Sequence, residues 1–272
     1  MPISIRSLLR AVTPGFVRRL RARAFQRAEA RRRATEGRLH EALGGLVLSG
    51  PFRGMLLDTA SSWGPLGPKL LGTYERELAP VIETIIAGGC RRFVDLGAAE
   101  GFYAVGLLRR LPAATCVAFE ANERGRAMLG DSARANGVLD RLEIRGHCGP
   151  HELAAAVAAF HPELVICDVE GAELDLLDPD AIPGLAGVDL LVEIHDFVNP
   201  AMGAILARRF AESHAITRIA TGPRRHVDIP AVPGFSRAER AILACEQRPC
   251  AMEWFWFRAR TVRPQTSTRP DG

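Results

Sequence analysis

Between Arg92 and Phe257 short apolar runs alternate with stretches of helical periodicity, and this alternation constrains the fold more than any other feature. The strand-like runs are 92–96, 115–120, 142–146, 164–168, 189–195, 216–220 and 252–257. Between them, 103–110, 123–136, 151–160, 174–177, 202–213 and 237–245 read as helices, with Gly137 stopping the second. A further helix carries Leu78, Val81, Ile82, Ile85 and Ile86 on one face and stops at Gly88-Gly89. Apolar strands joined by helices point to a parallel sheet covered on both faces. The expected class is α/β, a doubly wound Rossmann-like sheet.

The 272 residues provide ample length for one such domain, and no apolar run approaches a membrane span of about 20 residues. The net charge of +4 hides a split: residues 1–40 hold eleven arginines against two acids, Glu29 and Glu36. That arm therefore carries +9, leaving −5 for residues 41–272. Ile5, Leu8, Leu9 and Val12 at helical spacing, then Phe16, Val17 and Leu20, predict one or two amphipathic basic helices over 1–43. The arm's apolar side is expected to pack on the body or on a second copy in a homo-oligomer. Peripheral contact of residues 1–40 with an anionic membrane is the alternative. Nucleic acid is disfavoured, because no aromatic platform interleaves the arginines. Interrupting arginines and the lack of a small-residue cleavage site make the N-terminus a poor secretory signal. Residues 44–70, rich in Gly, Ser and Pro, read as an irregular connection, 71–260 as the domain and 261–272 as a disordered tail. Cys90, Cys116, Cys148, Cys167, Cys245 and Cys250 form no C-x-x-C pair, so reduced, mostly buried thiols in a cytoplasmic protein are expected.

Phe93 to Tyr103 is the most informative segment: a buried strand holding Asp95, then a loop Gly97-Ala98-Ala99-Glu100-Gly101, then a helix opening at Phe102 and Tyr103. In a doubly wound sheet a ligand meets the first strand's carboxyl end there. Dinucleotide loops run G-x-G-x-x-G and seat a pyrophosphate on the helix N-terminus. Here the spacing is G-x-x-x-G, and Asp95 and Glu100 would repel a pyrophosphate. Two carboxylates suit a cofactor with an ammonium and a sulfonium, namely S-adenosyl-L-methionine. Glu120, ending the second strand and followed by Ala121, is placed to accept both ribose hydroxyls.

Val94-Asp95-Leu96-Gly97-Ala98-Ala99-Glu100-Gly101, Ala118-Phe119-Glu120 and Cys167-Asp168-Val169-Glu170-Gly171-Ala172-Glu173 together resemble the FkbM-like branch of class I S-adenosylmethionine-dependent methyltransferases. The likeness runs from about Leu71 to about Arg258, and Leu71 to Leu78 and Glu193 to Asp196 share in it. It implies a seven-stranded, mostly parallel sheet with a reversed last strand, and methyl transfer, usually to oxygen. It also implies a cofactor site over Asp95, Gly97, Ala98, Glu100, Gly101, Phe102, Tyr103, Glu120, Ala121, His147 and Asp168, with Glu246 and Arg248 within reach. Ala121 stands where the pattern commonly has proline, and Arg145 to Pro150 depart from it. The arm lies outside the resemblance, so deleting residues 1–40 is expected to leave cofactor affinity intact.

Methylating a hydroxyl requires alignment of the acceptor oxygen and a destination for its proton. Asp168, ending the fourth strand, and Glu193 and His195, two apart at the end of the fifth, are the catalytic candidates, with Glu193 orienting His195 or the acceptor. Asp168 and Glu170 could instead cap the next helix, with Glu173 at capping-box spacing. A site without metal is preferred; a divalent ion on Asp168, Glu193 and His195 is the alternative. Pro223-Arg224-Arg225-His226 reads as a solvated loop, or else a lid on the acceptor pocket. Base N-methylation is disfavoured, since Asp168-Val169-Glu170-Gly171 is not an Asp/Asn-Pro-Pro-Tyr motif. The function expected is O-methylation of a small-molecule or sugar-containing (glycan) acceptor. The alternatives are a non-catalytic methyltransferase-like binding protein and an RNA ribose methyltransferase using the arm.

Overall fold

The computed structural model describes residues 15–59, 64–248 and 250–260. The expectations for Ile5 to Val12 and for the tail at 261–272 lie outside these residues. Helix α1 (Gly15–Leu43) is followed by α2 (Leu66–Leu71) and α3 (Ala79–Ala87). The alternating part then runs β1 (Arg92–Leu96), α4 (Phe102–Arg110), β2 (Thr115–Phe119), α5 (Glu123–Ala135) and β3 (Leu142–Arg145). It continues with α6 (Pro150–Phe160), β4 (Leu164–Cys167), α7 (Glu173–Leu176), β5 (Asp189–Ile194) and α8 (Met202–Arg209). Strand β6 (His214–Ala220), α9 (Arg237–Leu243) and β7 (Glu253–Ala259) complete it.

The seven strands form one sheet in the order β3-β2-β1-β4-β5-β7-β6. All neighbours pair in parallel except β7, which runs antiparallel to both β5 and β6. This is the expected doubly wound α/β sheet with a reversed last strand. Period-two alternation sorts the strand residues between two cores. Phe93, Cys116, Ala118, Leu164, Ile166, Leu191 and Trp254 face one. Val94, Leu96, Val117, Phe119, Val165, Cys167, Leu190, Val192 and Phe255 face the other. Covering helices hide both faces, which is why the strands read as continuous apolar runs.

The chain winds outward from β1 in one direction and from β4 in the other, so the helices leaving these two strands diverge. A crevice opens where they part, at the strands' carboxyl ends. Register places Leu96 opposite both Phe119 of β2 and Cys167 of β4, and Cys167 opposite Val192 of β5. Asp95, Glu120, Asp168 and Glu193 therefore reach one edge of the sheet from four adjacent strands.

The described residues of 44–65 are mostly irregular in backbone, as expected of a connection, but the segment is packed into the body. Val47, Phe52, Met55, Leu57, Leu66 and Leu70 are buried in the same core as Phe93 and Phe102. The short α2 ends on Gly72 at φ 72°. Composition hid this packing because its backbone is mostly irregular. Over its described residues the arm is one continuous helix, and its last turns belong to the body. Leu39 is fully buried, Glu36 accepts the Gly67 N–H at 2.9 Å, and Arg38 pairs with Glu239. Further toward its start, Leu20 and Phe25 are exposed. A cut at residue 40 would thus remove packing contacts along with charge. Among the described residues no helix is long and apolar enough to cross a membrane. The six cysteines are free, with Cys90, Cys116 and Cys167 buried, Cys148 half-buried, and Cys245 and Cys250 exposed.

Candidate active site

The loop after β1 turns through three residues with positive φ: Gly97 (79°), Ala99 (46°) and Gly101 (87°). Gly97 is required by contact as well as by φ, since a Cβ there would lie 1.8 Å from the Asp168 carbonyl oxygen. Four of the loop's five amides are already committed. Those of Gly97 and Ala98 donate to Phe119 O at 2.9 and 3.0 Å, and that of Gly101 to Ala98 O at 2.7 Å. The Ala99 N–H donates to Glu120 Oε2 at 2.9 Å, while Glu120 Oε1 accepts the Asn122 N–H at 2.7 Å. Both oxygens of Glu120 are thereby fixed, each retaining a lone pair.

Asp95, buried beside the loop, accepts the Ala104 N–H in the first turn of α4, and its Oδ2 has no partner. Burial pushes its carboxyl up to about 7, with the Glu120 charge adding to the rise and the Ala104 bond opposing it. Glu100 is placed differently from a free carboxylate awaiting a cation. It pairs with Lys69, both buried, and the Lys69 ammonium lies 5.0 Å from the Tyr74 ring centre. Lys69 is the chain's single lysine, and nothing in its sequence neighbourhood pointed to this role.

Two clefts meet over the loop. One, of about 320 Å³, is lined by Asp95, Gly97, Ala98, Glu100, Phe102, Tyr103, Asp168, Glu193 and His195, together with Lys69, Tyr74, Glu246 and Arg248. The other, of about 290 Å³, is lined by Phe119, Glu120, Ala121, His147, Cys148, Val169 and Leu176. Gly97, Ala99, Asp168 and Glu170 line both, at the ends of β1 and β4. Every sequence-predicted site residue lines one or both clefts except Gly101. That glycine begins α4, and a Cβ on it would meet the Leu129 side chain at 2.3 Å.

At the far side of the larger cleft the structure brings Asp168, Glu193 and His195 together. His195 Nδ1 is 2.7 Å from Glu173 Oε1; Nε2 is 3.6 Å from Asp168 Oδ1 and 3.4 Å from both Glu193 Oε2 and Glu170 Oε2. Burial alone would lower the His195 imidazole, but the Glu173 bond and the neighbouring carboxylates raise it overall. Asp168 is pushed well up, first by burial and then by the Glu193 charge. The capping alternative does not describe this loop, because Ala172 stands at the N-cap of α7 and no side chain caps the helix. Glu173 instead accepts the Val169 and Gly171 N–H groups at 3.3 and 3.2 Å, tying the loop to His195.

Glu193 is held from behind by Arg248, whose guanidinium also contacts Glu75 and Glu246. Burial, and then the Glu193 charge, push Glu75 up to about 7, and Tyr103 OH donates to it. Arg224 is buried and paired with Glu77 and Glu246, so this residue of the 223–226 loop is a tie rather than a solvated group; the His226 side chain lies outside those described. Glu75 gave no sequence signal of its own beyond the resemblance of its segment, since it lies far along the chain from every residue it meets here.

No protein-family model and no curated protein sequence matches the chain. Similar solved structures include the O-methyltransferase TomG from Streptomyces achromogenes in complex with S-adenosylmethionine, at 14% identity and TM-score 0.47, covering 75% of this chain and 92% of that one. Another is an O-methyltransferase from Bacillus cereus in complex with S-adenosylhomocysteine, at 11% identity and TM-score 0.46, covering 83% and 91%. A third is a putative precorrin-6Y C5,15-methyltransferase domain from Corynebacterium diphtheriae, at 19% identity and TM-score 0.44, covering 66% and 96%.

Proposed function

We propose that the chain is an S-adenosylmethionine-dependent O-methyltransferase of the FkbM-like kind, acting on a small-molecule or sugar-containing acceptor. The observation that carries this reading is the commitment of the loop. Four of its five amides are spent inside the protein and Asp95 takes the Ala104 N–H of α4, so a pyrophosphate seated here would meet few free donors and a buried carboxylate. A cofactor with a cationic end and a ribose, but no phosphate, fits these groups. Glu120 accepts its ribose hydroxyls, with Ala121 and His147 beside the base. Asp95 and the Gly97-Ala98 turn face its charged end. When bound, that cofactor supplies an already activated methyl group.

The protein's own work is alignment and charge. Asp168 lines both clefts, so it sits where the cofactor's reactive end and the acceptor meet. An acceptor hydroxyl docked against Asp168, Glu193 and His195 gives up its proton to this cluster, with Glu173 fixing the imidazole's direction. Positioning of this kind carries much of the acceleration, and proton transfer adds about 10²–10⁴-fold. The excess of carboxylates at this end repels anionic acceptors, so the acceptor is neutral or cationic near its reacting hydroxyl.

Calorimetric titration tests the reading. S-adenosylmethionine and S-adenosylhomocysteine should each bind once per chain, and NAD should not bind. Glu120→Gln should weaken S-adenosylmethionine binding about ten- to a hundred-fold, the loss of one or two hydrogen bonds to a charged acceptor. Binding of NAD in preference to S-adenosylhomocysteine would overturn it.

A further inference from the structure

His195 is almost completely buried, yet its two ring nitrogens have very different neighbours. Nδ1 lies 2.7 Å from Glu173, an acceptor-only group that itself takes two backbone N–H bonds. The ring is therefore oriented with its proton on Nδ1, and Nε2 faces the cleft. A carboxylate behind one nitrogen is the usual support for an imidazole that ligates metal through the other. Among the described residues Nε2 makes no hydrogen bond: Asp168 Oδ1 at 3.6 Å and Glu193 Oε2 and Glu170 Oε2 at 3.4 Å are beyond the usual reach of about 2.7–3.2 Å. These separations suit atoms that share a centre. Two ligand atoms each about 2.1 Å from one ion lie about 3.0 Å apart at an octahedral angle and about 3.4 Å apart at a tetrahedral one, so a contraction of about 0.5 Å seats this set on an octahedral ion.

Two further observations point the same way. Asp168 Oδ1 is covered from solvent and has no hydrogen-bond partner. Four carboxylates, on Asp168, Glu170, Glu173 and Glu193, surround this single imidazole, while the Arg248 guanidinium that contacts Glu193 is divided among Glu75, Glu193 and Glu246. One ligand atom each from Asp168, Glu193 and His195 lies within 4.8 Å of the others, the one such grouping among the described residues.

We propose that Asp168, Glu193 and His195 hold a divalent cation at the acceptor end of the cleft. From sequence alone this arrangement stood second to a metal-free site; the placement of Glu173 and the spacing around Nε2 reverse that order. Two carboxylates and one imidazole make an oxygen-rich set suited to Mn²⁺ or Mg²⁺, with coordination positions left toward the cleft. The site itself does not depend on methyl transfer; its catalytic consequence rests on that reading. An acceptor hydroxyl bound there loses its proton more easily, His195 serves as ligand rather than base, and the exposed Glu170 passes the proton to water.

The test uses the full chain and Mn²⁺ alone. One Mn²⁺ should bind per chain, and its electron spin-echo signal should carry coupling to a histidine nitrogen. Asp168→Asn and His195→Gln, close in shape to the native residues, should each weaken Mn²⁺ binding at least ten-fold, with folding checked by thermal melts. The spin-echo signature on the unaltered chain needs no variant, so a variant that fails to fold leaves the test intact. Absence of saturable Mn²⁺ binding, or bound Mn²⁺ without nitrogen coupling, overturns the proposal and shows a protonated His195 balancing the carboxylates instead. S-adenosylmethionine is titrated separately. A chain that binds it but not Mn²⁺ loses the cation site alone, and one that binds Mn²⁺ with nitrogen coupling but not S-adenosylmethionine keeps the site and loses the methyl-transfer reading.

Discussion

Asp95→Asn should make the protein more stable and, on the proposed reading, less able to bind S-adenosylmethionine, by amounts set by pH. Asp95 is buried, keeps one hydrogen bond from Ala104, and is pushed up from 3.8 to about 7 mainly by desolvation. Unfolding returns the carboxyl to its ordinary value. Between about pH 4 and 7 the folded state therefore holds a proton that the unfolded state releases. Stability falls as pH rises across that window, by about 1.4 kcal/mol per pH unit, and is flat above it. Asparagine keeps the oxygen that accepts from Ala104 but never ionises. The variant should match the native protein near pH 4 and exceed it increasingly up to about pH 7. The full shift corresponds to a ceiling of about 4 kcal/mol, and the effective dielectric of real interiors brings this to about 2–4 kcal/mol. Urea unfolding of both proteins from pH 4.5 to 8.5 measures the difference directly. Glu75 also titrates near 7, but it is present in both proteins and cancels. At pH 8 the same substitution should weaken S-adenosylmethionine binding at least ten-fold, because the cleft loses a charge facing a cation. A variant no more stable than the native protein at pH 8.5, or equally stabilised at every pH, would refute the desolvation argument.

Arg248→Met should cost about 3–5 kcal/mol, because it strands Glu75, Glu193 and Glu246 without their shared cation. The deficit should shrink between pH 8 and 6 as Glu75 takes up a proton; thermal melts at the two values check this, and an unchanged deficit counts against it. Deleting residues 1–30 should leave both the melting temperature and S-adenosylmethionine affinity essentially unchanged, since Leu20 and Phe25 in that stretch are exposed. Deleting residues 1–40 should destabilise the protein by at least about 3 kcal/mol, from the lost burial of Leu39 and the bond from Glu36 to Gly67. Equal behaviour of the two truncations would show that the helix end does not support the body.

The strand-helix alternation predicted every strand of the sheet to within a few residues, because burial on both faces leaves a local, period-independent apolar signal. The loop after β1 was equally legible as a turn: Gly97 and Gly101 take positive φ where the sequence placed a glycine loop between strand and helix. Segment 44–70 was not, because its buried residues are scattered through irregular backbone with no period to reveal them. The partner of Glu100 was hidden for a related reason. The charge of Glu100 could be read from the sequence, but its partner Lys69 lies 31 positions away and approaches only when α2 packs beneath the loop.

The same distinction explains why the proposed acceptor end is harder to read than the loop after β1. Asp168, Glu193 and His195 were visible as polar residues terminating apolar strands, a placement that costs stability unless a site repays it. What they do depends on Glu173 and Arg248, which decide which atoms remain free: Glu173 takes His195 Nδ1, and Arg248 takes Glu193 Oε1 at 2.6 Å. Each of these contacts removes one option and leaves a defined one, His195 Nε2 and Glu193 Oε2 facing Asp168 Oδ1. The charge division between arm and body acquires a location in this way. The body's negative excess is concentrated around one imidazole at the sheet edge, whereas Arg38 at the end of the basic helix is spent on Glu239 of α9, holding the helix to the body. Net charge thus states how much is unbalanced, and only the packing of distant segments determines which atoms carry it.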